Sequence, residues 1–199
     1  MTLKVIDVSY WQRYLTKRNY KKIKAYGIDA VIARCGYDMN PDSTFAKHIS
    51  YAKAAGMPVG AYYYGCAKSV EQAKKEAKHA VKLCRGKGLT FPIFYDMEDN
   101  ATMGKCSDAT LNKMAKAFCE IVEDAGFKSG IYASYSWLVS KIGSTGCDTW
   151  VAQYNDTCSY KGKKVGWQYS SSKCIPGIRG RLDISIRIML AKKAPHQQL

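Results

Sequence analysis

Phe91-Pro92-Ile93-Phe94-Tyr95-Asp96-Met97-Glu98 is an apolar run that ends on two acids. A helical stripe follows it. Leu111, Met114, Ala115, Phe118, Cys119 and Val122 recur at i, i+3, i+4, i+7, i+8 and i+11, and Gly126 lies beyond the last turn. Residues 129–133 then form a second apolar run. Strand, helix, strand is the unit that builds a parallel sheet, because parallel neighbours need a long crossover between them.

Working outward, the same alternation fills the first two thirds of the chain. Residues 3–6, 28–33 and 59–64 read as earlier strands. Asn19 is placed to cap a short helix through Tyr26, with Gly27 at its C-terminal stop. Asp42 or Ser43 is placed to cap a helix carrying Phe45, Ile49 and Ala52 and ending at Gly56. Ser69 and Gln72 have capping-box spacing, ahead of Val70, Ala73, Ala77, Val81 and Cys84 on one face. After residue 133 the runs at 150–153, 165–169 and 182–186 are strand-like, with no long amphipathic helix between them. Five βα units and about three further strands predict a flattened α/β barrel of the TIM-like kind, short of helices in its last third. An open doubly wound sheet is the alternative.

The 199 residues, 47% of them apolar, suit one domain, expected over residues 1–190. Residues 191–199 lose periodicity and read as a tail or the start of a linker, so a wall-binding domain in a longer parent chain is open. No run approaches a membrane span, and the N-terminus lacks a signal-peptide core, so the chain is expected to be made in a cytoplasm. A net charge of +15 favours polyanions. The bases are spread over the chain while acids concentrate in its middle, which fits adhesion to an anionic matrix such as cell wall better than reading of nucleic acid. Eight cysteines include no C-x-x-C pair and do not cluster with the three histidines, so no zinc site is expected. Free thiols are expected, with disulfides among Cys147, Cys158 and Cys174 as the alternative.

Four acids fall near barrel strand ends, where such folds do chemistry: Asp7, Asp96, Glu98 and Asp183. Asp96 and Glu98 are two apart, so in extended backbone they share a face with α-carbons roughly 6.5–7 Å apart. Crowded carboxylates raise one another's pKa, and glycosidic cleavage needs a protonated acid beside an ionised one. D-x-E alone is also an ordinary solvated strand end, and four acids could instead hold Mg²⁺ or Ca²⁺. Aromatics at strand ends, Tyr62, Tyr63, Tyr64, Tyr132, Trp150 and Trp167, add sugar-stacking faces, and Gln153 and Gln168 add amides for hydroxyl or acetamido groups. Any one of these aromatics could equally be core.

The ordered blocks Val5-Ile6-Asp7-Val8-Ser9-Tyr10-Trp11-Gln12, Gly60-Ala61-Tyr62-Tyr63-Tyr64, Tyr95-Asp96-Met97-Glu98, Trp150-Val151-Ala152-Gln153-Tyr154, Trp167-Gln168-Tyr169 and Leu182-Asp183-Ile184-Ser185 resemble glycoside hydrolase family 25, the Chalaropsis-type lysozymes. The resemblance spans about residues 3–190. It implies N-acetylmuramidase action on peptidoglycan with retention and no cofactor. Glu98 would be the general acid/base and Asp96 the support for the substrate's own acetamido group. Asp7 and Asp183 would tune and orient them, and Tyr37, Tyr62, Tyr64, Tyr132, Trp150, Gln153 and Gln168 would bind sugar. Direct attack by Asp96 or Asp183 is the mechanistic alternative. A leaderless basic wall hydrolase would be a phage endolysin, released from a host cytoplasm, with a bacterial autolysin as competitor. A non-catalytic wall-glycan module and a metal-dependent nuclease are the other functional classes open.

Overall fold

The computed structural model describes residues 2–186. The tail expected at 191–199 lies outside them. The chain order is β1 (Lys4–Val8), α1 (Lys17–Ala25), β2 (Ala30–Tyr37), β3 (Asn40–Pro41), α2 (Phe45–Ala54), β4 (Val59–Tyr64), α3 (Val70–Cys84) and β5 (Ile93–Asp96). There follow α4 (Asp108–Asp124), β6 (Ser129–Ser134), α5 (Tyr135–Trp137), β7 (Thr149–Ala152), β8 (Lys164–Lys173) and β9 (Leu182–Ile186).

The strands run in the order β1-β9-β8-β7-β6-β5-β4-β2, and β1 pairs back onto β2. This closes an eight-stranded barrel and excludes the open sheet. The five βα units and the helix-poor last third stand as expected. Not every pairing is parallel, however. β9 runs antiparallel to both β1 and β8. The link from Lys173 to Leu182 is too short for a crossover helix, so the chain turns back as a hairpin. One consequence matters for function: the start of β9, not its end, lies level with the C-terminal ends of the parallel strands, and that start carries Asp183.

Strand alternation sorts the core into two layers. Val5, Ala30, Ile32, Phe94, Trp150 and Val165 fill the barrel interior. Ile6, Val31, Ala61, Tyr63, Ile93, Ile131 and Val151 face outward, into the larger layer beneath the helices. At Gly130 a Cβ would lie 2.7 Å from a Phe94 ring carbon and 2.8 Å from the Asp148 carbonyl, so glycine there makes room for the Phe94 ring.

The helix signals read well, with three corrections. Thr16, not Asn19, caps α1; Asn19 occupies the third helical position and its Oδ1 accepts the Thr16 N–H, completing a capping box. Ser69 caps α3, but the Gln72 amide oxygen takes the Lys68 N–H (2.6 Å). Thr44 stands at the α2 N-cap but its side chain does not cap the helix; Asp42 Oδ1 instead accepts both its N–H (2.9 Å) and its hydroxyl (2.7 Å). The β2–β3 hairpin was not foreseen. Its turn residues Asp38 and Met39 have φ of 41° and 60°, a conformation glycine would adopt more readily. The Met39 N–H bonds to the Tyr63 hydroxyl (2.9 Å), which holds the turn in place.

A fully buried histidine joins the first two helices to the barrel rim. His48 Nε2–H donates to the Ser9 carbonyl (3.1 Å), which leaves Nδ1 to accept from the Tyr20 hydroxyl (2.7 Å). Burial, with Lys47 adding to it and Asp42 opposing, lowers its pKa to about 4. The unfolded chain, with an ordinary histidine near 6.5, then binds more protons than the native state between those values. Stability is therefore expected to fall by about 2–3 kcal/mol as pH drops from roughly 6.5 to 4. Urea midpoints measured across that range check it. His48→Gln, which cannot titrate, should flatten the acid slope; an unchanged slope would assign the effect to another group.

Candidate active site

The inner face of the barrel turns polar at its C-terminal end. Asp7, Tyr62, Asp96, Glu98, Tyr132, Trp150, Tyr154, Gln168 and Asp183 line a cleft of ≈ 220 Å³. The four acids named from sequence meet there. Asp7 and Asp183 are register partners across β1 and β9. Asp96 is the last residue of β5, and Glu98 follows once Met97 has turned its side chain outward into the core.

Burial governs the charges. Asp7 is pushed well up by desolvation, then by the neighbouring Asp183 charge. Asp183 is pushed up to about 6 by burial, eased by a hydrogen bond with Asp7. Burial and mutual repulsion thus raise both carboxyls above the ordinary range, so the Asp7–Asp183 pair favours a shared proton over two adjacent charges. Asp96 is raised by burial, then by Glu98 and Asp7, while Arg34 pulls it back toward the ionised form. Glu98, half-buried, is raised by burial, then by Asp183 and Asp99. Asp96 Oδ1 is buried and has no hydrogen-bond partner among the described residues.

Gln168 organises the other side. Its Nε2–H donates to Asp7 Oδ2 (2.9 Å), and its carboxamide oxygen accepts the Tyr132 and Tyr154 hydroxyls, each at 2.9 Å. These bonds fix two tyrosines relative to one acid. Trp150 forms the floor: its indole N–H donates to Ser185 Oγ (3.0 Å), and its ring meets Tyr132 edge-on at 4.7 Å.

Of the seven sugar-binding candidates, Tyr62, Tyr132, Trp150 and Gln168 line the cleft, and Gln168 does so with its amide already committed inside the protein. Tyr64, Tyr37 and Gln153 do not line it. The Tyr64 hydroxyl donates to Asp99 Oδ1 at 3.4 Å. Tyr37 borders an adjoining groove with Tyr10 and Trp11. The Gln153 amide is spent on Ser159, accepting its N–H (2.8 Å) and donating to its hydroxyl (3.2 Å). Trp167 donates instead to the Gln153 carbonyl (2.6 Å), and Tyr63 packs outward against His79. Tyr154 was missed as a site residue; two-residue alternation from Trp150 through Ala152 points to it. Among the described residues no three His, Cys, Asp or Glu side chains are arranged to hold a metal ion.

A closed barrel whose C-terminal cleft gathers four crowded acids and aromatic walls has the arrangement of a β/α-barrel glycoside hydrolase. The chain belongs to glycosyl hydrolases family 25, which it matches over residues 6–178. It is 27% identical over 174 residues to the autolytic lysozyme of Clostridium acetobutylicum, covering 83% of this chain and 51% of that one. The modular autolysin LytC from Streptococcus pneumoniae superposes with a TM-score of 0.81 at 28% identity, over 93% of this chain and 46% of that one. LytC is also known in complex with a synthetic peptidoglycan ligand, with a TM-score of 0.80 and the same identity and coverage. The catalytic domain of endolysin ply40, from bacteriophage P40 of Listeria monocytogenes, matches with a TM-score of 0.76 at 28% identity, over 93% and 92% of the two chains. The chain spans about half the length of the lysozyme and of LytC.

Proposed function

We propose that this chain is an N-acetylmuramidase that hydrolyses the β-1,4 bond from N-acetylmuramic acid to N-acetylglucosamine in peptidoglycan. The observation that carries the reading is the pairing of Glu98 with Asp96 Oδ1, a buried acceptor with no partner among the described residues. A buried acceptor of that kind calls for a donor from the ligand. The acetamido N–H of the sugar in the cleft is such a donor.

In this mechanism Glu98, whose protonated form burial and the neighbouring acids favour, gives its proton to the leaving glycosidic oxygen. The acetamido oxygen of the same substrate attacks the sugar carbon as that bond breaks, and Asp96 accepts the N–H hydrogen bond that strengthens as positive charge grows on the acetamido group. Glu98, now ionised, takes a proton from water, which opens the cyclic intermediate with net retention. Arg34 leans Asp96 toward the ionised form the role needs. Asp7 and Asp183, steadied by Gln168, orient the sugar.

The relatives named as lysozyme, autolysin and endolysin support wall hydrolysis. The +15 net charge supports retention on anionic wall polymers during turnover. We place the site of action at the bacterial cell wall, reached from the cytoplasm of a phage-infected host. Digestion of purified peptidoglycan tests the reaction. New reducing ends at muramic acid are expected; new free amino groups alone would make the protein a peptidase or amidase instead.

A further inference from the structure

Beside the acid cleft lies a second hollow of ≈ 560 Å³, bordered by Tyr10, Trp11, Arg34, Tyr37, Asn40 and Pro41. Its rim holds three exposed aromatics: Trp11 at 69%, Tyr10 at 42% and Tyr37 at 41%. Tryptophan is among the most buried residues on average, so an indole this exposed calls for a reason. Chain mobility does not supply it, because the turn that presents Trp11 is fastened at several points. The Ser9 N–H bonds to Gln12 Oε1 (2.9 Å) and the Trp11 N–H to Ser9 Oγ (3.3 Å). The Tyr10 N–H reaches Asp42 Oδ2 (2.9 Å), and His48 holds the Ser9 carbonyl. The rings of Tyr10 and Tyr37 are each faced by a guanidinium, Arg13 at 4.6 Å and Arg34 at 5.0 Å. Among the described residues Trp11 has one ring contact, T-shaped with Tyr10 at 6.2 Å, and most of its indole stands open to solvent.

The two hollows share a wall. Arg34 borders the groove and its charge acts on Asp96 in the cleft, and Tyr62 of the cleft lies beside Ser9, which opens the Trp11 turn. The cleft alone, at ≈ 220 Å³, is smaller than the roughly 300–1,000 Å³ of ordinary small-ligand sites. A glycan strand seated there must run out over neighbouring surface. Resting on the muramidase reading, we propose that the Trp11 groove is an extended glycan subsite, in which a pyranose outside the cleaved pair stacks its C–H face on the Trp11 indole. Tyr37 and Asn40 supply polar edges to the same sugar. The occupant is the saccharide backbone, because the groove continues the cleft and its most exposed recognition face is a flat aromatic.

The test uses peptide-free N-acetylglucosamine–N-acetylmuramic acid tetra- and octasaccharides, titrated into the inactive Glu98→Gln protein with and without Trp11→Ala. The octasaccharide is expected to bind roughly tenfold tighter than the tetrasaccharide, about 1.4 kcal/mol. Trp11→Ala should remove that increment and leave tetrasaccharide affinity within about twofold. An increment that survives Trp11→Ala, or equal weakening for both lengths, overturns the subsite. So does an increment that appears only with ligands carrying stem peptides. Cleavage of the same octasaccharide by the unaltered protein is read separately: no cleavage with the increment intact defeats the proposed reaction and leaves the subsite standing.

Discussion

Glu98→Gln is expected to lower peptidoglycan turnover by about 10²–10⁴-fold while binding to walls persists. The amide matches the carboxyl in shape but cannot give a proton to the leaving oxygen or take one from water. Glu98 is the cleft acid best placed for both steps. It is half-buried, so it reaches both solvent water and the bound sugar, and Asp183 and Asp99 add to burial in raising its pKa. The sign follows from that rise. Protonated Glu98 is the active form for the first step, so turnover falls as pH climbs through its raised pKa, and that limb is absent from the residual activity of the variant. Release of reducing ends across pH, measured beside wall pull-down, checks both points. Near-normal turnover would move the acid role to another carboxyl. Loss of wall binding together with activity would point to damaged structure instead of missing chemistry.

The acids were legible because a strand alternates with a strict period of two. That rule placed Asp96 and Glu98 on one face and sent Met97 to the core. It also explains why βα repetition gave the barrel: α4 and β4 carry unbroken apolar patterns that few other folds accommodate. The partner of each polar group was not legible. Gln153 and Gln168 are the same residue type in similar strand-end blocks, yet one ties down a loop through Ser159 and the other joins Asp7 to two tyrosines. That outcome depends on the bulges that break register along β7 and β8, which leave no trace in composition. Trp167 faces away for the same reason, while Gln168 beside it faces in. Asp183 was named as a site residue without its geometry, since only the hairpin return of β9 puts a strand start at the catalytic end. Glu76 on α3 shows the opposite limit: it interrupts an apolar stripe, yet it is buried, taking the Tyr95 hydroxyl at 2.5 Å and the Cys66 N–H at 2.9 Å. No sequence period announces a buried carboxylate whose partners come from two other elements.

Asp96→Asn is expected to cut activity by about 10²–10³-fold, the usual size of losing one charged partner to a developing transition-state charge. The same substitution is expected to make the protein more stable. Asp96 is buried, faces Glu98 and Asp7, and has Oδ1 without a partner among the described residues, so its ionised form is penalised in the native state and not in the unfolded chain. Its native pKa therefore lies above the unfolded value near 3.9. Below that unfolded value both states are protonated and the residue costs nothing. As pH rises toward the native pKa, the unfolded chain sheds a proton that the native state keeps, and stability drains away. Asparagine carries no such charge. Its advantage should be absent near pH 3, grow above about pH 4, and reach about 1–2 kcal/mol at neutral pH, or roughly 2–8 °C in Tm for a chain of this size. Thermal melts of both proteins at pH 3 and pH 7 measure it. An equal or lower Tm for the variant at pH 7 would show that the acid is not held at a cost. Activity decides the chemistry separately. Turnover within tenfold of the unaltered protein would remove Asp96 from the acetamido role, and a glycosyl group found covalently on Asp96 by mass spectrometry would make it the nucleophile. Loss of activity joined to a gain in stability is the outcome that marks Asp96 as strained for function: the orphaned oxygen that destabilises the fold is the one the substrate's N–H completes.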